Sequence, residues 1–202
     1  WDLIDMKHYA TMSIQYSRGC PFNCDFCAIS TLYGSKVRTK KLDQVLTELN
    51  GIYEAGWRGG VFIVDDNFIG NKGKLKEKIL PALINWMKER NYPFAFKTEV
   101  SINLADDDVL MALMAKAGFD SVFVGIETPN DESLAECNKS QNRGRDLEAC
   151  VKKIQGFGLK VDAGFIVGFD SDNPPVFDRL VAFIQNTGIV TAMVGLLNAP
   201  PG

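Results

Sequence analysis

The sequence predicts an α/β fold: a six-stranded parallel partial (β/α)6 barrel of the TIM type, folded as a single domain over residues 1–202. Three observations carry this. Six short apolar runs rich in Val, Ile and Phe recur along the 202 residues, amphipathic stretches with helix start and stop signals separate them, and each run leads into polar or otherwise unusual residues. Strand and helix alternating with short connections and right-handed crossovers give a parallel sheet. A closed eight-stranded barrel takes ~250 residues, so six units in this length predict a partial one. A doubly wound open sheet is the alternative.

The runs are TMSIQYS (11–17), GVFIV (60–64), FAFKT (94–98), SVFVGI (121–126), KVDAGFIVGF (160–169) and VTAMVGL (190–196). Most lack clean alternation, which suits strands buried on both faces. In the first intervening helix, Leu42, Val45, Leu46, Leu49, Ile52 and Tyr53 form one stripe and Gly56 suits its end. Segment 73–90 is helical in pattern, with Pro81 expected to kink it or delay its start. Asp106 to Asp108 place negative charge at a helix start that Gly118 ends. Pro174 and Pro175 fall where a first turn tolerates them, and Asn130 and Asp172 are cap candidates.

Composition narrows the function. The net charge is −3, with Lys and Arg spread along the chain, so no nucleic-acid surface or polybasic membrane patch is predicted. No apolar run reaches the ~18 residues of a transmembrane helix. Five cysteines without a secretion signal argue against a disulfide framework and for a reducing, cytoplasmic setting. The start at Trp1 and the end at APPG suggest a fragment of a longer protein, with residues 1–10 leading into the domain.

Three of the cysteines, Cys20, Cys24 and Cys27, stand in SRGCPFNCDFCAIS with the spacing C-x3-C-x2-C. Thiolates so close together on a loop without a periodic face suit one metal centre, and soft sulfur selects zinc, copper(I) or iron–sulfur clusters. Zinc closed by His8, the single histidine, is one option. A cubane cluster usually takes four cysteines, so three leave one iron open for a further ligand. Cys137 and Cys150 are expected to be packing thiols, and Arg18, Lys36 and Arg38 either neutralise the centre or lie on the surface. Acidic groups gather at the expected carboxyl ends of the strands: Asp65 and Asp66 in VDDNF, Glu99 in KTE, Glu127 in GIET. Each could instead cap a helix or face solvent.

In this context the chain resembles the radical S-adenosylmethionine superfamily, whose signature is C-x3-C-x-aromatic-C after the first strand of a six-stranded partial barrel. Cys20, Cys24, Phe26 and Cys27 match it. The resemblance implies a 4Fe–4S cluster on the three cysteines and S-adenosylmethionine on the open iron, cleaved reductively to a 5′-deoxyadenosyl radical. Phe26 would then lie near adenine. Asp65 or Asp66 would replace the Gly-Gly-Glu motif that holds the methionine amino group. Glu99 and Glu127 would meet ribose or methionine, Gly125 would belong to the cofactor-binding set, and Gly164, Ile166 and Gly168 of GFIVGF would line the adenine. Adjacent strand residues point to opposite sides, so only one of Asp65 and Asp66 is expected to face the cofactor.

FIVDDNF, VGIET and GFIVGFD look most like the branch with an upstream cobalamin-binding domain, which includes methyltransferases such as hopanoid methylases. That implies methylation of an unreactive carbon in a small-molecule or lipid substrate. It also implies an electron donor of the flavodoxin or ferredoxin type, and cobalamin on a domain outside this chain. The reading from another class is a metal-stapled scaffold, zinc or iron–sulfur, without turnover.

Overall fold

The computed structural model describes residues 1 and 3–198. Six parallel strands form one sheet: β1 (Thr11–Ile14), β2 (Gly59–Ile63), β3 (Phe94–Val100), β4 (Phe119–Glu127), β5 (Lys160–Val167) and β6 (Ala192–Leu196). Each pairs with the next in sequence, from Met12 opposite Val61 to Gly164 opposite Met193. An order that never reverses has no switch point, and right-handed crossovers then put the helices on one side, so the sheet curls as an arc of a barrel. This excludes the doubly wound alternative.

Burial alternates along the strands. In β3, Phe94, Phe96, Thr98 and Val100 are buried under the helices, while Ala95, Lys97 and Glu99 are half-buried on the other face. The expectation of strands buried on both faces is therefore corrected. One face packs on helices; the concave face carries Thr11, Ser13, Lys97, Glu99 and Asp162 among its residues and is open within the described chain. β6 is exposed along its whole length.

The helices follow their stripes. Helix α1 (Leu42–Glu54) buries Val45, Leu49 and Ile52, and Gly56 follows in a left-handed turn at φ +92°. Helix α2 (Leu80–Glu89) carries Pro81 in its first turn behind a π-helical turn, Leu75–Ile79, in which the Leu80 N–H reaches the Leu75 carbonyl. That wider turn accommodates a ring without an N–H, so Pro81 marks both a start and an irregularity. Helix α3 (Asp108–Lys116) is capped by Asp107, whose carboxylate accepts from Leu110 N–H at 3.0 Å, and Gly118 ends it at φ +93°. Asn130 caps the short α4 (Asp131–Glu136). Helix α5 (Leu147–Gly156) buries Leu147, Val151 and Ile154, with Cys150 half-buried beside them.

Two cap expectations need correction. Helix α6 (Val176–Thr187) starts after Pro175, so both prolines precede it. Asp172 caps no helix: it accepts from Gly168 N–H at 2.8 Å, Phe169 N–H at 3.1 Å and Ser133 Oγ at 3.0 Å, tying the end of β5 to α4. β1 also ends earlier than its apolar run. Past Ile14 the chain enters an antiparallel ribbon in which Ser17–Arg18 pairs with Arg38–Thr39. Among the described residues no helix is long and apolar enough to cross a membrane.

Candidate functional site

The cysteine loop leaves this ribbon at the carboxyl edge of the sheet. Gly19 sits at φ +93°, and a Cβ there would lie 2.8 Å from the carbonyl oxygens of Gly34 and Lys36, so only glycine lets the returning strand approach. Cys20, Cys24 and Cys27 line one cavity of about 180 Å³, shared with Phe26, Asp66, Asn67, Glu99, Gly125, Glu127, Lys139 and Gln141. Burial pushes the Cys20 and Cys24 thiols up, against the Phe22 backbone donor at Cys20 and the Lys139 charge at Cys24.

The two aspartates after β2 part company. Asp65 is buried and accepts from Tyr16 N–H at 2.7 Å, Ser17 N–H at 2.8 Å and Ser17 Oγ at 2.5 Å. It braces the chain between β1 and the cysteine loop and does not line the cavity. Asp66 accepts from Gly19 N–H at 2.9 Å and does line it. Glu99 arrives from β3 with no hydrogen-bond partner among the described residues. Burial and the nearby Asp66 charge push its carboxyl up, with Lys97 opposing. Two adjacent carboxylates with one backbone donor between them suit a cationic group, which would relieve their mutual repulsion.

β4 ends in a bulge, where its register against β5 shifts between Gly125 and Glu127. Glu127 takes the left-handed conformation at φ 64°, uncommon outside glycine. It is buried and ion-paired with Lys139, Oε1 to Nζ at 2.6 Å, so the carboxylate expected at ribose is met by a lysine. A Cβ on Gly125 would lie 2.3 Å from Glu127 Oε1 and 2.9 Å from Lys139 Nζ; this glycine makes room for the pair. The buried Asn142 amide donates to the Gly125 and Ile126 carbonyls at 3.1 and 3.0 Å, satisfying groups near the shifted ladder.

The segment after α4 holds the cysteine loop from its far side. Asp25 N–H donates to the Cys137 carbonyl at 3.0 Å, and Asn138 Nδ2 to the Asn23 carbonyl at 2.7 Å. Lys139 Nζ lies 5.5 Å from the centre of the Phe26 ring. No sequence pattern marks this strap: a polar run without periodicity says nothing of its own burial. Among the described residues Lys139 is the cation that lines the cavity. Arg18 and Arg38 instead border a separate surface groove, with Arg38 donating to the Tyr33 carbonyl, and Lys36 is exposed.

A larger cavity of about 550 Å³ adjoins the cysteine loop, lined by Phe26, Cys27, Cys137, Gly168 and Phe169 among others. Gly168, at φ +102°, is brought there; Gly164 and Ile166, on the Asp162 face of β5, line neither cavity. Cys137, expected as a packing thiol, also borders this cavity. It is buried against the same loop, and burial pushes its thiol up to about 11.

His8 is exposed, with Nε2 3.6 Å from Asp5, and stands in neither cavity. Among the described residues no three His, Cys, Asp or Glu side chains gather closely enough to share one ion. A mononuclear zinc centre does not suit that spacing. A cluster would not need the three thiols to meet at one ion, because each thiolate would bind a different iron.

Fold and site together define the class. The sequence profile of the Radical SAM superfamily matches residues 14–184, and the chain belongs to that superfamily. It is 50% identical over its whole length to an uncharacterized methyltransferase of Synechocystis sp. and 38% identical to the hopanoid C-2 methylase of Rhodopseudomonas palustris. It spans 37% and 38% of those two proteins. Among solved structures it superposes on the radical S-adenosylmethionine methyltransferase TsrM of Kitasatospora setae, described with cobalamin and a 4Fe–4S cluster bound. The TM-score is 0.80 at 18% identity, covering 96% of this chain and 36% of that one. The cobalamin-dependent radical enzyme OxsB gives a TM-score of 0.71 at 19% identity, covering 91% of this chain and 27% of that one. At those identities the likeness establishes the fold.

Proposed function

We propose that this chain is the radical core of a methyltransferase that holds a 4Fe–4S cluster on Cys20, Cys24 and Cys27 and binds S-adenosylmethionine beside it. The observation that carries the reading is one cavity lined by three thiols and by the carboxylates of Asp66 and Glu99. When bound and reduced, the cluster supplies the electron that cleaves the sulfonium to methionine and a 5′-deoxyadenosyl radical. The chain's own residues position the reactants. Asp66 and Glu99 receive the ammonium group, Lys139 holds Glu127 in place, and Phe26 with Gly168 borders the space for the adenosyl group. The substrate is a small molecule or lipid methylated at an unreactive carbon. Cobalamin sits on a part of the parent protein outside this chain, and a flavodoxin- or ferredoxin-type protein supplies the electron. Support comes from the relatives named as methylases and from the TsrM and OxsB likeness. Anaerobic reconstitution with iron and sulfide, then reduction with S-adenosylmethionine, is expected to yield 5′-deoxyadenosine. A loaded cluster without that product would favour the non-catalytic scaffold.

The aspartates give a sharper test. Asp66→Asn is expected to weaken S-adenosylmethionine binding ~10- to 100-fold, the equivalent of a charge-assisted hydrogen bond of ~1.5–3 kcal/mol, with cluster loading intact. Asp65→Asn leaves that affinity near wild type and lowers stability by ~1–3 kcal/mol, because an amide serves the Tyr16 and Ser17 donors poorly. Cofactor titration and urea unfolding of both variants read the split; equal effects in the two would refute the division of roles.

A further inference from the structure

We infer that the side-chain amides of Gln141 and Asn67 are positioning residues that raise the reduction potential of the cluster by donating hydrogen bonds to its cysteine sulfurs. The inference rests on the cluster reading above. Gln141 Nε2 lies 3.6 Å from Cys24 Sγ, and Asn67 Nδ2 lies 3.9 Å from Cys20 Sγ. Both amides are buried, Gln141 at 8% exposure and Asn67 at 3%. A thiolate on iron carries no proton and can only accept, so in each case the NH2 end must face sulfur.

The two amides are held differently. Asn67 is locked by Ser101 at the end of β3: its Nδ2 donates to Ser101 Oγ at 3.1 Å and its Oδ1 accepts from Ser101 N–H at 3.3 Å. Gln141 has no such anchor, and its buried Oε1 has no hydrogen-bond partner among the described residues. A buried acceptor without a donor is costly, and a core position would be filled more readily by an apolar side chain. The amide end that does have a partner faces the cysteine sulfur. N–H dipoles aimed at cluster sulfurs stabilise the more negative, reduced state over the oxidised one, and hydrogen bonds to sulfur are among the factors that set such potentials. The arrangement is also uneven. Cys27 receives no side-chain donor among the described residues, so the effect is concentrated on Cys20 and Cys24.

The test is a redox titration of the anaerobically reconstituted protein, followed by the electron paramagnetic resonance signal of the reduced cluster, with iron and sulfide counted in every sample. Gln141→Leu is expected to load as much iron and sulfide as wild type. Its reduced-to-oxidised ratio at a fixed potential should fall about tenfold, a downward shift of ~59 mV for one electron. Asn67→Asp, which replaces the donor with a carboxylate, is expected to shift the midpoint in the same direction. If Gln141→Leu fails to load, Gln141→Asn takes its place: it keeps the amide but withdraws it by one methylene, and must also lower the midpoint. Wild-type midpoints in loaded Gln141 variants overturn the inference and leave the proposed function standing. A wild-type protein that forms no cluster under these conditions overturns both.

Discussion

Replacing Cys24 with alanine is expected to remove the cluster absorbance of the reconstituted protein almost completely, and Cys20→Ala and Cys27→Ala should do the same. In the proposed cluster each thiolate would be the one protein ligand of its iron, so its loss would leave that iron bound by sulfide alone. Cys137→Ala and Cys150→Ala are expected to load normally. Cys137 is the informative control, because the fold brings it against the cysteine loop although it lies far off in sequence. Its side chain lines the larger neighbouring cavity and not the one the three thiols share, and its contact with the loop runs through its carbonyl, which alanine retains. Iron and sulfide analysis with the visible spectrum decides the matter. A cluster that survives Cys24→Ala sinks the assignment.

Lys139→Met is expected to cost ~3–5 kcal/mol of stability, because it leaves the buried Glu127 carboxylate without its partner. Against the ~5–15 kcal/mol that holds most domains together, this is a severe loss. Changing both members, in Glu127→Gln with Lys139→Met, should recover much of it, since the unpaired charge is then gone. Urea unfolding of the two singles and the double gives the coupling directly. Near-wild-type stability of Lys139→Met would mean that Glu127 finds water and that the pair is not sealed from solvent.

Much of the fold was legible because strands and helices declare themselves through short-range pattern. The stripe from Leu42 to Tyr53 and the charges at Asp106 to Asp108 each describe one element and need only their neighbours to be read. The error in the sheet was of another kind. Val, Ile and Phe runs suggested burial on both sides, yet Lys97, Glu99 and Asp162 share the open concave face. A pleat fixes which residues share a face but not what covers that face. Likewise a proline pair signals a helix start only to within a few residues, and Asp172 serves Gly168 rather than the helix that follows it.

By itself the sequence determined six α/β units, a cysteine loop after the first of their strands and the expectation that Asp65 and Asp66 play separate parts, since these are read from local pattern. Only the tertiary structure decided which aspartate faces the cavity, that Glu127 is met by Lys139, and that Gln141 reaches Cys24 across 117 residues of chain. Those are contacts between elements brought together by packing. A polar side chain carries no mark of the partner it will meet, because that partner is set by how the sheet curls and where α4 comes to rest beside the loop.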